Sequence, residues 1–104
     1  MRIELIIDGK KKIFTAPFVP MMAKRKWLEI QAQAEKREGN LTSDELMDED
    51  DKIMSILTDI IFQKQFTLEE LYNGASKDYI DSKLMEGIFG ITEKQVEEGN
   101  EKGE

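Results

Sequence analysis

The side chains that could carry chemistry in this sequence are carboxylates and amines, and they are grouped in three runs. Four acidic residues occupy Asp48–Asp51, and two basic runs occupy Lys10–Lys12 and Lys24–Lys26. Histidine and cysteine are missing from the sequence, which removes the commonest general base and metal ligand together with all thiol chemistry. Carboxylates without these residues or a glycine-rich phosphate loop do not assemble a catalytic site. We therefore predict a protein that is not an enzyme and that needs no cofactor.

The acidic run does not have the spacing of a calcium-binding loop. Such a loop needs a glycine at its sixth position and a glutamate at its twelfth. Counted from Asp44, those two positions hold Glu49 and Ser55. We predict no metal site and interpret Asp48–Asp51 as a solvated surface near a helix start, where negative charge is favourable.

The net charge of −7 is unevenly spread. Residues 1–37 hold nine Lys and Arg against four Asp and Glu, whereas residues 38–104 hold six against 18. The acidic part repels phosphates, so we predict no nucleic-acid binding. Opposite charges in the two halves favour head-to-tail association between copies, so we predict a homo-oligomer. The alternative is an ordinary solvated surface of mixed charge.

Nothing in the sequence predicts contact with a membrane. No apolar run approaches the ~18 residues of a membrane span, and the first residues lack the apolar stretch of a signal peptide. We therefore predict no membrane partner and a cytoplasmic location.

The candidate partner-binding residues are the two basic runs and the methionines next to the second run. Basic side chains can pair with an acidic partner, and flexible thioethers adapt to varied apolar surfaces. For the basic runs we favour the alternative of a solubilising hairpin tip and an exposed helix face. For five methionines we expect gap filling in the core: Met21, Met22, Met47, Met54 and Met85. The candidates are Lys10, Lys11, Lys12, Met21, Met22, Lys24, Arg25 and Lys26.

The first 15 residues predict a β-hairpin. Apolar residues alternate at positions 3, 5 and 7, and Asp8-Gly9 is a strong turn signal because glycine tolerates positive φ. A loop of two or four residues places Phe14 on the buried face, and a loop of three residues places Ile13 there; we favour Phe14. Such a hairpin is not stable alone. We expect its apolar face to pack on helices and its outer edge to stay free for pairing.

Two prolines separate the hairpin from the helical part. Pro17 and Pro20 end the second strand and bracket Phe18-Val19, which we predict to pack against the first helix. That helix is predicted over about residues 21–38. Its apolar positions are Met22, Trp27, Ile30 and Ala34, with Trp27 in the core rather than at a binding surface.

Three capping boxes predict further helix starts. Each has a threonine followed three residues later by Glu or Gln, with apolar residues on both sides. They lie at Leu41–Leu46, Phe66–Leu71 and Ile91–Val96. After the first box, an apolar stripe predicts a long second helix that ends near Gln65, and the acidic run leaves open whether its first part is frayed. The stripe consists of Ile53, Ile56, Leu57, Ile60 and Ile61.

Two shorter helices follow. The third is predicted over about residues 68–72, and the fourth begins after Ser76 and ends at Gly90. The buried face of the fourth is predicted to hold Ile80, Leu84, Ile88 and Phe89. The last eight residues contain no apolar side chain, so we predict that they are disordered.

The predicted fold class is α+β, mostly α, with an N-terminal β-hairpin packed on a bundle of three to four helices and a disordered acidic C-terminal tail. We expect one globular domain over residues 1–91. Residues 1–20 form its hairpin and proline-bracketed segment, and residues 21–91 form its helical part. Residues 92–104 are predicted to be a short capped turn or helix and the tail.

The order of elements resembles the tail assembly chaperones of long-tailed phages and prophages of Gram-positive bacteria. The most specific pieces are F-x-A-P-F-V at Phe14–Val19 and Q-F-T-x-E-E-L-Y-x-G at Gln65–Gly74. The hairpin, Trp27–Gln31 and Ile60–Phe62 add to the likeness, which covers roughly residues 1–91. These motifs are structural and contain no catalytic signature.

The resemblance implies a non-enzymatic protein that holds the tape measure protein soluble until the major tail tube protein polymerises around it. It also implies action in the host bacterial cytoplasm and absence from the mature virion. The resemblance further implies that a programmed frameshift adds a C-terminal extension to a fraction of the copies. The competing hypothesis is a small regulatory adaptor that binds one host or phage protein.

Overall fold

The computed structural model describes residues 1–37 and 39–91, in which a two-stranded antiparallel hairpin precedes four helices. This arrangement confirms the predicted fold class. The third capping box and the predicted tail at 92–104 lie outside the described residues. The elements are β1 (Arg2–Ile7), β2 (Lys10–Thr15), α1 (Met22–Glu35), α2 (Ser43–Ser55), α3 (Leu68–Gly74) and α4 (Lys77–Phe89).

The hairpin closes through a two-residue turn. Asp8 and Gly9 have φ values of 53° and 76°, and two left-handed residues are what this tight connection requires. The turn places Phe14 opposite Ile3, which confirms the favoured register. Ile3 and Leu5 are fully buried, and the Phe14 ring lies 4.9 Å from the Phe66 ring. One face of the hairpin therefore packs on the helical part, as predicted.

The acidic run belongs to a regular helix. The Thr42 hydroxyl accepts a hydrogen bond from the Glu45 main-chain N–H at 3.2 Å, and α2 then runs without interruption through Asp48–Asp51. Acidic side chains in its first turn are favourable because the helix dipole is positive there. Lys52 Nζ lies 3.1 Å from Asp48 Oδ2, one helical turn earlier in the chain. These contacts decide the question that the sequence left open.

The second helix was predicted to end near Gln65, which is wrong, because the helical segment ends at Ile61. After Ser55 the chain continues as a π-helix over Ile56–Ile61, and the Phe62 N–H donates to the Leu57 carbonyl oxygen at 2.9 Å. In an α-helix, residues five positions apart lie about 140° apart around the axis. The wider turn places Leu57 and Phe62 on one side, and both are fully buried. Packing of this apolar pair accounts for the change of helix type.

The last two helices begin at the predicted caps, and α4 also ends at the predicted glycine. At the start of α3, the Thr67 hydroxyl accepts from the Glu70 N–H at 3.1 Å and the Glu70 carboxylate accepts from the Thr67 N–H at 2.9 Å. At the start of α4 the Ser76 hydroxyl accepts a single capping hydrogen bond, from the Tyr79 N–H at 3.2 Å. Gly90 ends α4 with a φ of 70°, a value that glycine adopts without strain.

Replacing Thr67 with alanine is expected to lower the free energy of unfolding by about 1 kcal/mol. The helix α3 has only seven residues, and helices this short are not stable without caps and packing. Thr67→Ser keeps the hydroxyl acceptor and should be nearly neutral. Urea unfolding followed by circular dichroism measures both variants. Equal losses for the two variants would contradict the role given to the hydroxyl.

Exposure differs from prediction for several apolar side chains. Core gap filling is wrong for four methionines, because Met21, Met22, Met47 and Met85 are exposed, whereas Met54 does pack against the core. The exposure of Met22 also removes it from the predicted buried face of the first helix, where Ala23 and Ile30 are buried instead.

Two aromatic rings connect the first and last helices. Trp27 packs against the core as predicted, and its ring meets the Phe89 ring edge-on at 4.9 Å. Phe89 was predicted to be buried but is 40% exposed. It lies at the last residue of α4, where its ring covers Trp27 and keeps one side in solvent. The remaining predicted residues of that face are all buried: Ile80, Leu84 and Ile88.

Candidate partner-binding surface

The lysines Lys10, Lys11 and Lys12 are exposed along β2. Lys11 Nζ lies 3.7 Å from a carboxylate oxygen of Glu4, which also pairs with Arg2. The hydrogen bond from Arg2, followed by the charge of Lys11, lowers the pKa of Glu4 below its usual value. Glu4 therefore stays ionised and offsets part of the local positive charge. Within residues 1–37 and 39–91, Lys10 and Lys12 form no ion pair, so the strand remains cationic.

A second candidate surface consists of three exposed apolar residues that are close in the chain, Phe18, Met21 and Met22, and we call it the apolar patch. These side chains are 64%, 75% and 55% exposed. Phe18 corrects the prediction that Phe18-Val19 packs inward, because only Val19 packs against the core. Of these two neighbouring side chains, Val19 is half-buried and Phe18 is exposed. Large apolar side chains that remain in solvent next to one another are typical of protein interaction sites.

Positive charge borders the apolar patch. Lys24 and Arg25 are exposed and Lys26 is half-buried in the first turns of α1. Arg25 Nε donates to a Glu29 carboxylate oxygen at 3.2 Å, and Lys26 Nζ lies 3.8 Å from the other oxygen. No acidic residue occupies the first turn of α1, although the helix dipole favours one there. The arrangement leaves an apolar surface with a cationic border.

The candidate residues therefore form two surfaces. Met21 and Met22 adjoin the basic run of α1, whereas Lys10–Lys12 occupy the far half of β2. The six residues of β2 extend over about 16 Å, and residues 16–21 follow before α1 begins. Within the part of the chain that the structure describes, no hydrogen bond or ion pair joins the two basic runs.

Exposed isoleucines on the outer face of the hairpin were not among the predicted sites. Ile6 and Ile13 are 52% and 53% exposed. The signal was present in the sequence, because the alternation that places Ile3 and Leu5 inside places Ile6 and Ile13 outside. The exposure of Phe18 had no comparable signal, since neither periodicity nor the prolines specify which of two adjacent side chains is buried.

A cleft of about 290 Å³ lies between α2, α3 and α4, with Met54 and Ile80 in its lining. At its border the Tyr72 hydroxyl donates to an Asp51 carboxylate oxygen at 2.7 Å. Burial, followed by this hydrogen bond, raises the pKa of Tyr72. The phenol therefore stays protonated at neutral pH and connects α3 to α2. Among the described residues no group of three metal-ligating side chains is found.

No helix of the described chain is both long enough and apolar enough to span a bilayer. The exposed apolar side chains and exposed lysines on this hairpin-and-helix fold are typical of proteins that bind other proteins. A family model described as phage tail chaperone protein matches residues 1–104, and the chain belongs to that family. Comparisons with curated proteins and with solved structures gave no match. The predicted family is therefore confirmed, and a role in phage tail assembly as a chaperone follows from it.

Proposed function

We propose that this tail assembly chaperone binds the tape measure protein and keeps it soluble before the major tail tube protein polymerises around it. In this proposal it also helps to recruit tube subunits, acts in the host bacterial cytoplasm and is not part of the mature virion. It acts by binding and not by catalysis. The observation that carries the proposal is the match of the chaperone family over the whole chain.

The apolar patch suits a client with exposed apolar segments. The thioethers of Met21 and Met22 are flexible and polarisable, so they adapt to different apolar side chains. Their exposure in the free protein means that a client covers them without any rearrangement of the core. The neighbouring Lys24, Arg25 and Lys26 can pair with client carboxylates at the border of the contact.

Co-expression with the tape measure protein tests the proposal. The chaperone is expected to raise the fraction of tape measure protein in the soluble part of a lysate and to elute with it from a sizing column. Precipitation that is unchanged by the chaperone would contradict the proposal. The downstream gene supplies the partner for this experiment if it encodes a long helical protein of the tape measure type.

A pair of double variants tests the surface. The substitutions Met21→Gln and Met22→Gln make the patch polar and are expected to abolish most of the solubilising effect. Met47→Gln and Met85→Gln make the same change at two exposed methionines elsewhere and should leave it intact. Circular dichroism checks that both proteins remain folded. The opposite ranking of the two double variants would place the client on another surface.

A further inference from the structure

The hairpin ladder determines which main-chain groups of β2 face away from β1. At the end of the hairpin opposite the turn, the Met1 amine donates to the Ala16 carbonyl oxygen at 2.8 Å and the Ala16 N–H donates to the Met1 carbonyl oxygen at 2.7 Å. In an antiparallel pair such mutual bonds recur at every second residue. The intervening residues of β2, which are Lys11, Ile13 and Thr15, therefore direct their N–H and C=O groups outward.

The outer edge of β1 is covered by helices. The Glu4 N–H donates to the Tyr79 hydroxyl oxygen at 2.9 Å. The next residue of β1 with outward main-chain groups is Ile6. Gly74 lies so close to it that a Cβ on Gly74 would be 3.0 Å from the Ile6 carbonyl oxygen. This edge has no room for another strand.

The outer edge of β2 is covered at one end only. The Gln65 side-chain amide donates to the Thr15 carbonyl oxygen at 2.9 Å, and the Asp8-Gly9 turn ends the strand on the other side. Between these limits, none of the residues described here hydrogen bonds to the outward main-chain groups of Lys11 and Ile13. We call these four groups the open edge. A strand that paired with them would cover about five residues, or roughly 13 Å.

The positive charge around the open edge favours an incoming strand that carries negative charge. Lys10, Lys11 and Lys12 all lie beside it, and among residues 1–37 and 39–91 only Lys11 has a carboxylate partner. A second copy that paired antiparallel through the same edge would place the two Lys12 residues opposite one another and would gather six lysines in one short sheet. Like charges on facing strands are destabilising. An incoming strand with glutamate or aspartate at alternate positions would place opposite charges there instead.

We propose that the open edge of β2 binds an extended acidic segment of a partner protein as a third strand of the sheet. The main-chain groups of Lys11 and Ile13 supply the hydrogen bonds, and the lysines supply the preference for acidic residues. This proposal rests on the proposed function only in that the chain acts by binding another protein. It does not require the partner to be the tape measure protein, so co-expression and the following experiment fail independently.

The test uses the full-length labelled protein and a synthetic octapeptide in which glutamate alternates with valine and threonine. Amide exchange is measured by NMR. At 90% occupancy, exchange at Lys11 and Ile13 is expected to slow about tenfold, and the same peptide with lysine for glutamate should leave both rates unchanged. Unaltered exchange with the acidic peptide, or equal protection by the basic one, would overturn the proposal. Protection without peptide that rises with protein concentration would also overturn it, because a second copy would then occupy the edge.

A proline substitution tests the main-chain bond directly. Ile13→Pro removes one outward N–H, and the internal ladder does not use that N–H, so an edge proline is tolerated. It is expected to weaken binding of the acidic peptide at least tenfold, whereas Ile13→Val should bind within about twofold of the wild type. Equal binding by both variants would overturn the proposal. If Ile13→Pro does not fold, two N-methylated peptides replace it, each methylated on every second backbone nitrogen so that one edge of the peptide strand cannot donate hydrogen bonds. Because the peptide pairs with β2 through one of its two edges, one of these peptides must fail to bind.

Discussion

Replacing Phe62 with alanine is expected to lower the free energy of unfolding by about 3–5 kcal/mol. The ring is fully buried and lies 5.3 Å from Phe66, which in turn contacts Phe14 of the hairpin. Its removal opens a cavity where the π-helix, the start of α3 and the hairpin meet. A chain of this length has about 5–15 kcal/mol of stability, so the loss is a large part of the total. Urea unfolding monitored by Trp27 fluorescence gives the value.

Phe18→Ala is the matched control for this experiment. The substitution removes the same atoms from a side chain that is 64% exposed, and it is expected to cost less than about 1 kcal/mol. Losses of similar size at the two positions would mean that Phe62 is not a main contributor to the core. The same control variant also removes a member of the apolar patch while the fold stays intact.

Gly74→Ala is expected to destabilise the protein by about 1–3 kcal/mol. A Cβ at this position would lie 3.0 Å from the Ile6 carbonyl oxygen and 3.1 Å from Leu5 Cβ. The carbonyl oxygen belongs to the main chain of β1, so relief of the clash requires α3 and the hairpin to separate. The sign of the change in the free energy of unfolding is informative, because alanine in place of a helical glycine otherwise stabilises a helix by up to about 1 kcal/mol.

Gly87→Ala provides the comparison. A Cβ there would lie 2.7 Å from Ile61 Cδ1 and 3.4 Å from Met1 Sδ. Both atoms are near the ends of flexible side chains, which can move aside, and the gain in helix propensity offsets the cost. We expect a change within about 1 kcal/mol of zero, measured by the same urea titration. A larger loss at Gly87 than at Gly74 would contradict the close packing of hairpin and α3.

Local signals in the sequence were sufficient to predict most elements. The alternation around Ile3 and the Asp8-Gly9 turn specified the hairpin and favoured its register, because both act between neighbouring residues. Thr42, Thr67 and Ser76 marked three helix starts, since a capping side chain satisfies main-chain N–H groups only two or three positions away. The acidic and basic runs, and the missing histidine and cysteine, limited the chemistry in the same direct way.

The tertiary structure decided what depends on residues far apart in the chain. The π-helix at Ile56–Ile61 arises because Leu57 and Phe62 are both buried against other elements, a requirement that the local apolar period does not contain. The hairpin has one covered and one open edge because Tyr79, Gly74 and Gln65 approach it from 50 to 75 positions away. Burial of Val19 rather than Phe18, and exposure of four methionines, likewise follow from the finite area of a small core. Sequence periodicity indicates which face of a helix or strand is the most apolar, whereas only tertiary packing determines how much of each face is buried.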